Sequence, residues 1–317
     1  MIERLAKRII KGYRMQRNED LGFLLTADLK DLCKAADSIR EFYCGNKVNL
    51  CTIINGRSGR CSENCKFCAQ SSHHNTGIEE YNFLDENTIV EDCKRNEEEG
   101  VHRYSIVTAG KNLKGNDFQK AIAAYKRMYA ECNVELCASH GLLQEADFIA
   151  LKETGVRRYH MNLETSKRYF SSICTTHTYE DKLQCIRLAL KAGLEVCSGG
   201  IIGMGEQWED RIDLAFALSE LGIRSIPINV LIPVKGTSFE DLPLVSEEDI
   251  LRTVAIFRLI NPESDIRLAA GRANMKNSGE RAFQSGANAT ITGNMLTTSG
   301  NNIKQDMEML ISLGFEI

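Results

Sequence analysis

Eight short runs rich in β-branched and apolar residues alternate with longer amphipathic stretches along this chain: Val48–Ile54, His102–Thr108, Val134–Ala138, Arg158–Asn162, Leu194–Ile201, Ser225–Ile232, Ile266–Ala269 and Ala289–Thr292. A strand whose successor must lie parallel beside it needs a crossover, so eight such units predict an α/β fold, a (β/α)8 barrel of the TIM type. Ahead of them Leu5, Ile9 and Ile10, then Leu29, Leu32 and Ala35, recur at helical spacing between charges, which predicts an N-terminal helical cap over residues 1–45. Pro227, Pro233, Pro243 and Pro262 all lie in the last third and no Gly/Ser/Pro-rich linker interrupts the alternation, so residues 46–317 are expected to form one barrel domain. The charge run Lys94, Arg95, Glu97, Glu98 and Glu99 reads as the solvated tail of a helix.

Thirty-nine Lys and Arg against 43 Asp and Glu give a formal charge of -4, so no bulk field argues for nucleic acid or an anionic membrane. A small-molecule partner is expected. The segment Met1–Arg17 is too charged to carry an apolar signal core, and no apolar run approaches the roughly 20 residues of a membrane span. These features predict a cytoplasmic chain, where thiols stay reduced. Twelve Cys in such a compartment point to metal or redox chemistry rather than to disulfides.

Cys61, Cys65 and Cys68 form a CxxxCxxC spacing just after the first predicted strand. Three thiolates within eight residues of loop can wrap one corner of a cubane, ligating three irons of a 4Fe–4S cluster. The fourth iron is then free to take a chelating ligand. A zinc site is the competing reading, and it would need a further Cys or His, for which His73 and His74 are near in sequence.

This motif resembles that of the radical S-adenosylmethionine superfamily. The resemblance implies that the open iron chelates the methionine end of the nucleotide and that Phe67 packs against adenine. Gly199-Gly200-Ile201-Ile202-Gly203-Met204-Gly205-Glu206 matches the superfamily's GxIxGxxE pattern, placing Ile201 and Glu206 among the cofactor-binding residues. Segments spread over the whole predicted barrel further resemble the biotin synthase family. They are Cys65–Ser72, Tyr159–Ser166, Val196–Ile201, Pro227–Leu231, Lys235–Thr237 and Arg267–Arg272. That family inserts sulfur between two unactivated carbons of dethiobiotin, each hydrogen being abstracted by a deoxyadenosyl radical.

The same resemblance implies an auxiliary iron–sulfur cluster deep in the barrel, which donates the sulfur. Cys137, Cys197 and Arg267 match three of its four protein ligands. Alternate residues of a barrel strand face inward, so single Cys residues on separate strands can converge on the axis. The departure is on the second strand, where Ser105 stands at a family Cys, so a 2Fe–2S site cannot be carried over intact. Cys51, on the first strand, stands where the family commonly has a hydroxyl residue. An auxiliary cluster held by Cys51, Cys137 and Cys197, of 2Fe–2S or altered type, is therefore expected. Cys174 is expected near the barrel mouth, while Cys33, Cys44, Cys93, Cys132 and Cys185 read as ordinary thiols.

Asn162 and Glu164 match positions that hydrogen-bond the nucleotide, with Glu164 replacing an Asp. His160 stands where the family has a substrate-facing Asn, and Asn229 matches a second one; His177 stands at a family Arg. The implied partners are dethiobiotin, an electron donor such as flavodoxin or ferredoxin, and a second copy in a homodimer. Two other readings stay open: another radical enzyme, of maturase or mutase type, and a non-catalytic iron–sulfur carrier.

Overall fold

The computed structural model describes residues 1–296 and 300–317. Its centre is one parallel sheet of β1 (Asn49–Arg57), β2 (Arg103–Thr108), β3 (Glu135–Ser139), β4 (Val156–His160), β5 (Glu195–Cys197), β6 (Gly200–Ile202), β7 (Ser225–Val230), β8 (Asp265–Leu268) and β9 (Ala289–Ile291). β1 pairs with both β2 and β9, and β5 with both β4 and β7, so the sheet closes on itself. β5 and β6 share one position, which makes eight positions around the barrel, as the alternation of runs predicts.

The first strand runs on to Arg57 and the one from Ser225 stops at Val230 rather than Ile232, while two further departures share one reason. The fourth ends at His160 rather than Asn162, and the fifth, expected to be continuous, breaks between Cys197 and Gly200. The chain leaving β4 wedges into that break: the Glu164 amide donates to Gly199 O at 3.1 Å and the Ile201 amide to Glu164 O at 2.9 Å. Only glycine permits the approach, since a Cβ on Gly199 would lie 1.9 Å from Pro227 O and one on Gly200 2.4 Å from Glu164 O.

Helices lie outside the sheet, and several begin at side-chain caps. Asp85 accepts from the Thr88 amide, Thr178 from Asp181, Ser246 from Asp249 and Asn302 from Gln305, which satisfies first-turn N–H groups that have no intrahelical partner. The helix Glu247–Ile260 is buried on nearly every face beyond Arg252, so the sheet alone cannot cover it. The helix Leu29–Cys44 supplies the second cover and Ile2–Ile10 packs on it in turn, with Leu5, Ile9, Leu32 and Ala35 buried. Lys94 to Glu99 close the helix Glu86–Glu98 and its cap on the surface, as the charge run implies. Among the described residues no helix is long and apolar enough to cross a membrane.

Candidate active site

A cavity of about 410 Å³ opens within the barrel, lined from Cys51 and Arg103 below to Phe67, Cys68 and the segment beyond Ile291 above. The strand residues on its wall alternate: Cys51 and Ile53, Arg103, Ser105 and Val107, Cys137 and Ser139, Arg158 and His160, Pro227 and Asn229. These residues are the inward half of each strand, and the wall as a whole includes Cys51, Cys137, Cys197, Arg267, His160, Asn229 and Ile201 from the strands and Asn162 and Glu164 from the chain leaving β4.

Register sorts these residues into layers. Ser105 pairs with Cys137, His160 with Cys197, Pro227 with Arg267 and Ile291 with Cys51. Each ligand candidate pairs on its other side with a residue two positions below the next of these: Cys51 with Arg103, Cys137 with Arg158, Cys197 with Ser225 and Arg267 with Ala289. The offset repeats four times around the barrel and is the signature of tilted strands whose inward residues stack in layers of four from alternate strands. Cys51, Cys137, Cys197 and Arg267 thus form one layer, contributed by the first, third, fifth and seventh positions. Ser105 and His160 belong to the layer above; Arg103 and Arg158 belong to the one below.

Charge in this part of the cavity is distributed unevenly. Burial raises the Cys51 thiol and pushes Cys137 up to about 12, each being raised further by a neighbouring thiol. Burial would raise Cys197 too, but the His160 hydrogen bond and charge, with Arg267 and Arg158, bring it down to about 6. Arg267 donates through Nη1 to Asn49 O and Thr290 O (3.1 and 2.9 Å) and through Nη2 to Asn49 Oδ1 (2.6 Å). Arg103 and Arg158, buried in the wall and paired below to Glu135 and Glu195, were missed by sequence reasoning. Strand parity gave a partial signal, since each lies two residues before an inward residue already singled out, Ser105 and His160.

Several buried polar atoms facing the cavity have no partner: Arg103 Nε and Nη1, Ser105 Oγ and Glu164 Oε2. Unpartnered donors beside three thiols suit a bound anionic group, because an orphaned buried donor costs about 1–3 kcal/mol. The donor set fits an iron–sulfur cluster.

Above this layer lies the CxxxCxxC loop. The Cys61 amide donates to Gln70 O (3.0 Å) and the Ser72 amide to Cys61 O (2.8 Å), curling the segment so that Cys68 and Phe67 face the cavity while Cys61 is buried beside it. Burial pushes the Cys68 thiol up to about 11. His73 and His74 do not supply the ligand a zinc reading requires: their ring nitrogens face Ser62 O, Cys68 O and Ser238 Oγ.

Glu164 takes a left-handed backbone, φ 71°, uncommon for a residue with a Cβ, and its carboxylate has only Lys182 Nζ nearby at 3.6 Å. Lys182, reaching in from a helix, was also absent from the sequence reading. Asn162 Oδ1 accepts from Gly199 N at 3.0 Å, leaving its Nδ2 for a ligand. Asn229 links two strand ends, donating to Gly200 O and accepting from the Ala270 amide. Glu206 is outside the cavity wall. Its carboxylate accepts from the amides of Gly203 and Met204 and from Arg211 Nε (2.7 Å), so it holds the turn that follows Ile201.

Residues 57–218 match the Radical SAM superfamily, and residues 227–316 match the Biotin and Thiamin Synthesis associated domain. Over 316 residues, all of this chain and 99% of the relative, the sequence is 65% identical to a biotin synthase of Alkaliphilus metalliredigens (strain QYMF). The chain belongs to the biotin synthase family. A biotin synthase of Clostridium beijerinckii (strain ATCC 51743 / NCIMB 8052) is 63% identical, across 100% of both chains. The fold extends beyond the biotin synthases. A crystal structure of methylornithine synthase superposes with TM-score 0.85 at 21% identity, covering 98% of this chain and 96% of that one. An FeFe-hydrogenase maturase superposes with TM-score 0.84 at 18% identity, covering 99% and 74%.

Proposed function

We propose that this chain inserts sulfur into dethiobiotin to form biotin, using S-adenosylmethionine and two iron–sulfur clusters held in one barrel. The reading rests on the single layer of Cys51, Cys137, Cys197 and Arg267 beneath a CxxxCxxC loop. A non-catalytic cluster carrier needs no nucleotide pocket, and a radical enzyme acting on another substrate needs no ring of thiols in the floor.

When bound, the 4Fe–4S cluster supplies the electron that cleaves S-adenosylmethionine to a deoxyadenosyl radical, and the auxiliary cluster supplies the sulfur. In this reading Cys61, Cys65 and Cys68 hold the first cluster. Phe67 and Ile201 sandwich the adenine, Asn162 and Glu164 bind the polar part of the nucleotide, and Glu206 keeps the Gly203–Met204 turn in shape. His160 and Asn229 face the ureido ring of dethiobiotin between the two clusters. Cys51, Cys137 and Cys197 hold the auxiliary cluster with Arg267, while Arg103 and Arg158 offset its negative charge from below. The moved thiolate, from Ser105 to Cys51, argues for an auxiliary cluster of altered type.

Residues 46–317 form the catalytic barrel in this proposal and residues 1–45 its cap. Twelve free Cys suit a reducing compartment such as the cytoplasm, and membership of the biotin synthase family is the ground for proposing an electron donor of flavodoxin or ferredoxin type and a homodimer.

The test is anaerobic reconstitution followed by iron and sulfide analysis, Mössbauer spectra and a single turnover with dethiobiotin and S-adenosylmethionine. Biotin formed with loss of the second cluster is the expected result. Nucleotide cleavage without biotin, despite two intact clusters, would overturn the substrate assignment.

A further inference from the structure

Lys182 is the fourth residue of the helix Tyr179–Lys191, is buried, and reaches the cavity wall that Phe67, Cys68, Met161 and Glu164 also line. A cation in the first turn meets the positive end of the helix dipole, so nothing in the helix itself favours a lysine there. Nor do its neighbours satisfy it. An ammonium has three protons to donate, yet among the described residues Nζ reaches only the Met161 thioether, at 3.9 Å. The Glu164 carboxylate stands 3.6 Å away, beyond hydrogen-bond distance. Glu164 is in the matching condition, with Oε2 buried and unpartnered.

Buried charges are ordinarily paired and hydrogen-bonded, because leaving them otherwise is costly. An ammonium and a carboxylate that face one cavity without completing each other's hydrogen bonds therefore suit a ligand that carries both kinds of group. The end of an α-amino acid is such a ligand: its carboxylate accepts from Lys182 and its amino group donates to Glu164. Other cations do not compete for the carboxylate. Among the described residues of the wall, Arg103, Arg158 and Arg267 belong to the floor layers. His177, which stands at a family Arg, is turned away from the wall, with Nδ1 2.6 Å from Glu63 Oε2 and both side chains buried.

We propose that Lys182 binds the carboxylate at the α-amino-acid end of the nucleotide while Glu164 receives the amino group, so that the pair selects a nucleoside bearing an amino acid over one without it. The assignment rests on the reading that S-adenosylmethionine is the nucleotide of this cavity. It does not depend on dethiobiotin or on the auxiliary cluster.

Calorimetric titration of the anaerobically reconstituted chain tests it, with S-adenosylmethionine and with methylthioadenosine, which has the same nucleoside but no amino acid. Lys182→Met should weaken S-adenosylmethionine binding by about 10–100-fold, the loss of one charged hydrogen bond, and leave methylthioadenosine binding unchanged. Lys182→Gln, which keeps a neutral donor, should show the same selective loss, and Lys182→Arg should recover most of the affinity. His177→Gln should leave both ligands unaffected. Iron and sulfide at the wild-type level in each variant confirm that it folds and holds its clusters. Unchanged S-adenosylmethionine affinity in Lys182→Met and Lys182→Gln would overturn the proposal, as would an equal loss for both ligands or a selective loss in His177→Gln. A wild-type chain that binds neither compound would instead overturn the nucleotide reading beneath it.

Discussion

Cys51 and Ser105 face one cavity from adjacent strands but belong to different layers: Cys51 pairs with Arg103, and Ser105 pairs with Ile53 on one side and Cys137 on the other. A thiol at Cys51 therefore does not fill the position vacated at Ser105. It completes a layer of four with Cys137, Cys197 and Arg267 from alternate strands, which is the physical basis for expecting an auxiliary cluster of altered type.

Cys51→Ala should accordingly reduce iron and sulfide to what the Cys61/Cys65/Cys68 loop holds, about four of each per chain, whereas Ser105→Ala should leave both at the wild-type level. Elemental analysis after anaerobic reconstitution decides it. Full loading in Cys51→Ala would remove Cys51 from the ligand set.

Glu164 combines a left-handed backbone with a buried, unpartnered carboxylate oxygen. Glu164→Gly relieves the strain, so the cluster-free chain should gain about 1 kcal/mol in urea unfolding. The same change should weaken S-adenosylmethionine binding to the reconstituted chain about tenfold or more, by loss of a charged hydrogen-bond acceptor. Calorimetric titration showing unaltered nucleotide affinity would exclude Glu164 from the nucleotide site.

Asp306, on the helix Ile303–Ser312, accepts from both Nη atoms of the buried Arg272 and from Thr292 Oγ1 at 2.6 Å. Removing one partner leaves a buried guanidinium unpaired, so Asp306→Ala should cost about 3–5 kcal/mol. A loss under about 1 kcal/mol in denaturant unfolding would contradict that account.

His140 is fully buried, with Nδ1 against Thr108 Oγ1 and Nε2 against Tyr125 OH. Burial, aided by the charge of Arg57, holds it down to about 3 from its ordinary 6.5. Below pH 6.5 the unfolded chain takes up a proton that the folded chain refuses until about pH 3, so stability falls as pH falls through that window. Between pH 7 and 5.5 this contributes about 1 kcal/mol of loss. His140→Gln should flatten the slope by that amount in urea unfolding of the cluster-free chain; an identical slope would show that His140 is not its source.

Much of the candidate site was legible from local pattern. A period of two along each strand puts Cys51, Cys137 and Cys197 on the inward side, and the CxxxCxxC spacing is a property of eight consecutive residues. Arg103 and Arg158 follow the same parity, but nothing local separates a buried Arg beneath a cavity from an Arg on a strand edge.

What the sequence by itself determined is therefore what short-range geometry controls: the number of strand positions, the inward face of each strand, the cluster loop and the family. Tertiary structure alone decided which inward residues share a layer, because layers depend on inter-strand register around the whole closed sheet, including its irregularity between Leu136 and Cys137. It also decided that the fifth strand breaks, since the break is made by chain arriving from β4. The meeting of Cys65 with Cys174, 109 residues further along, is likewise set by two loops docking on the same rim, a contact with no local signature.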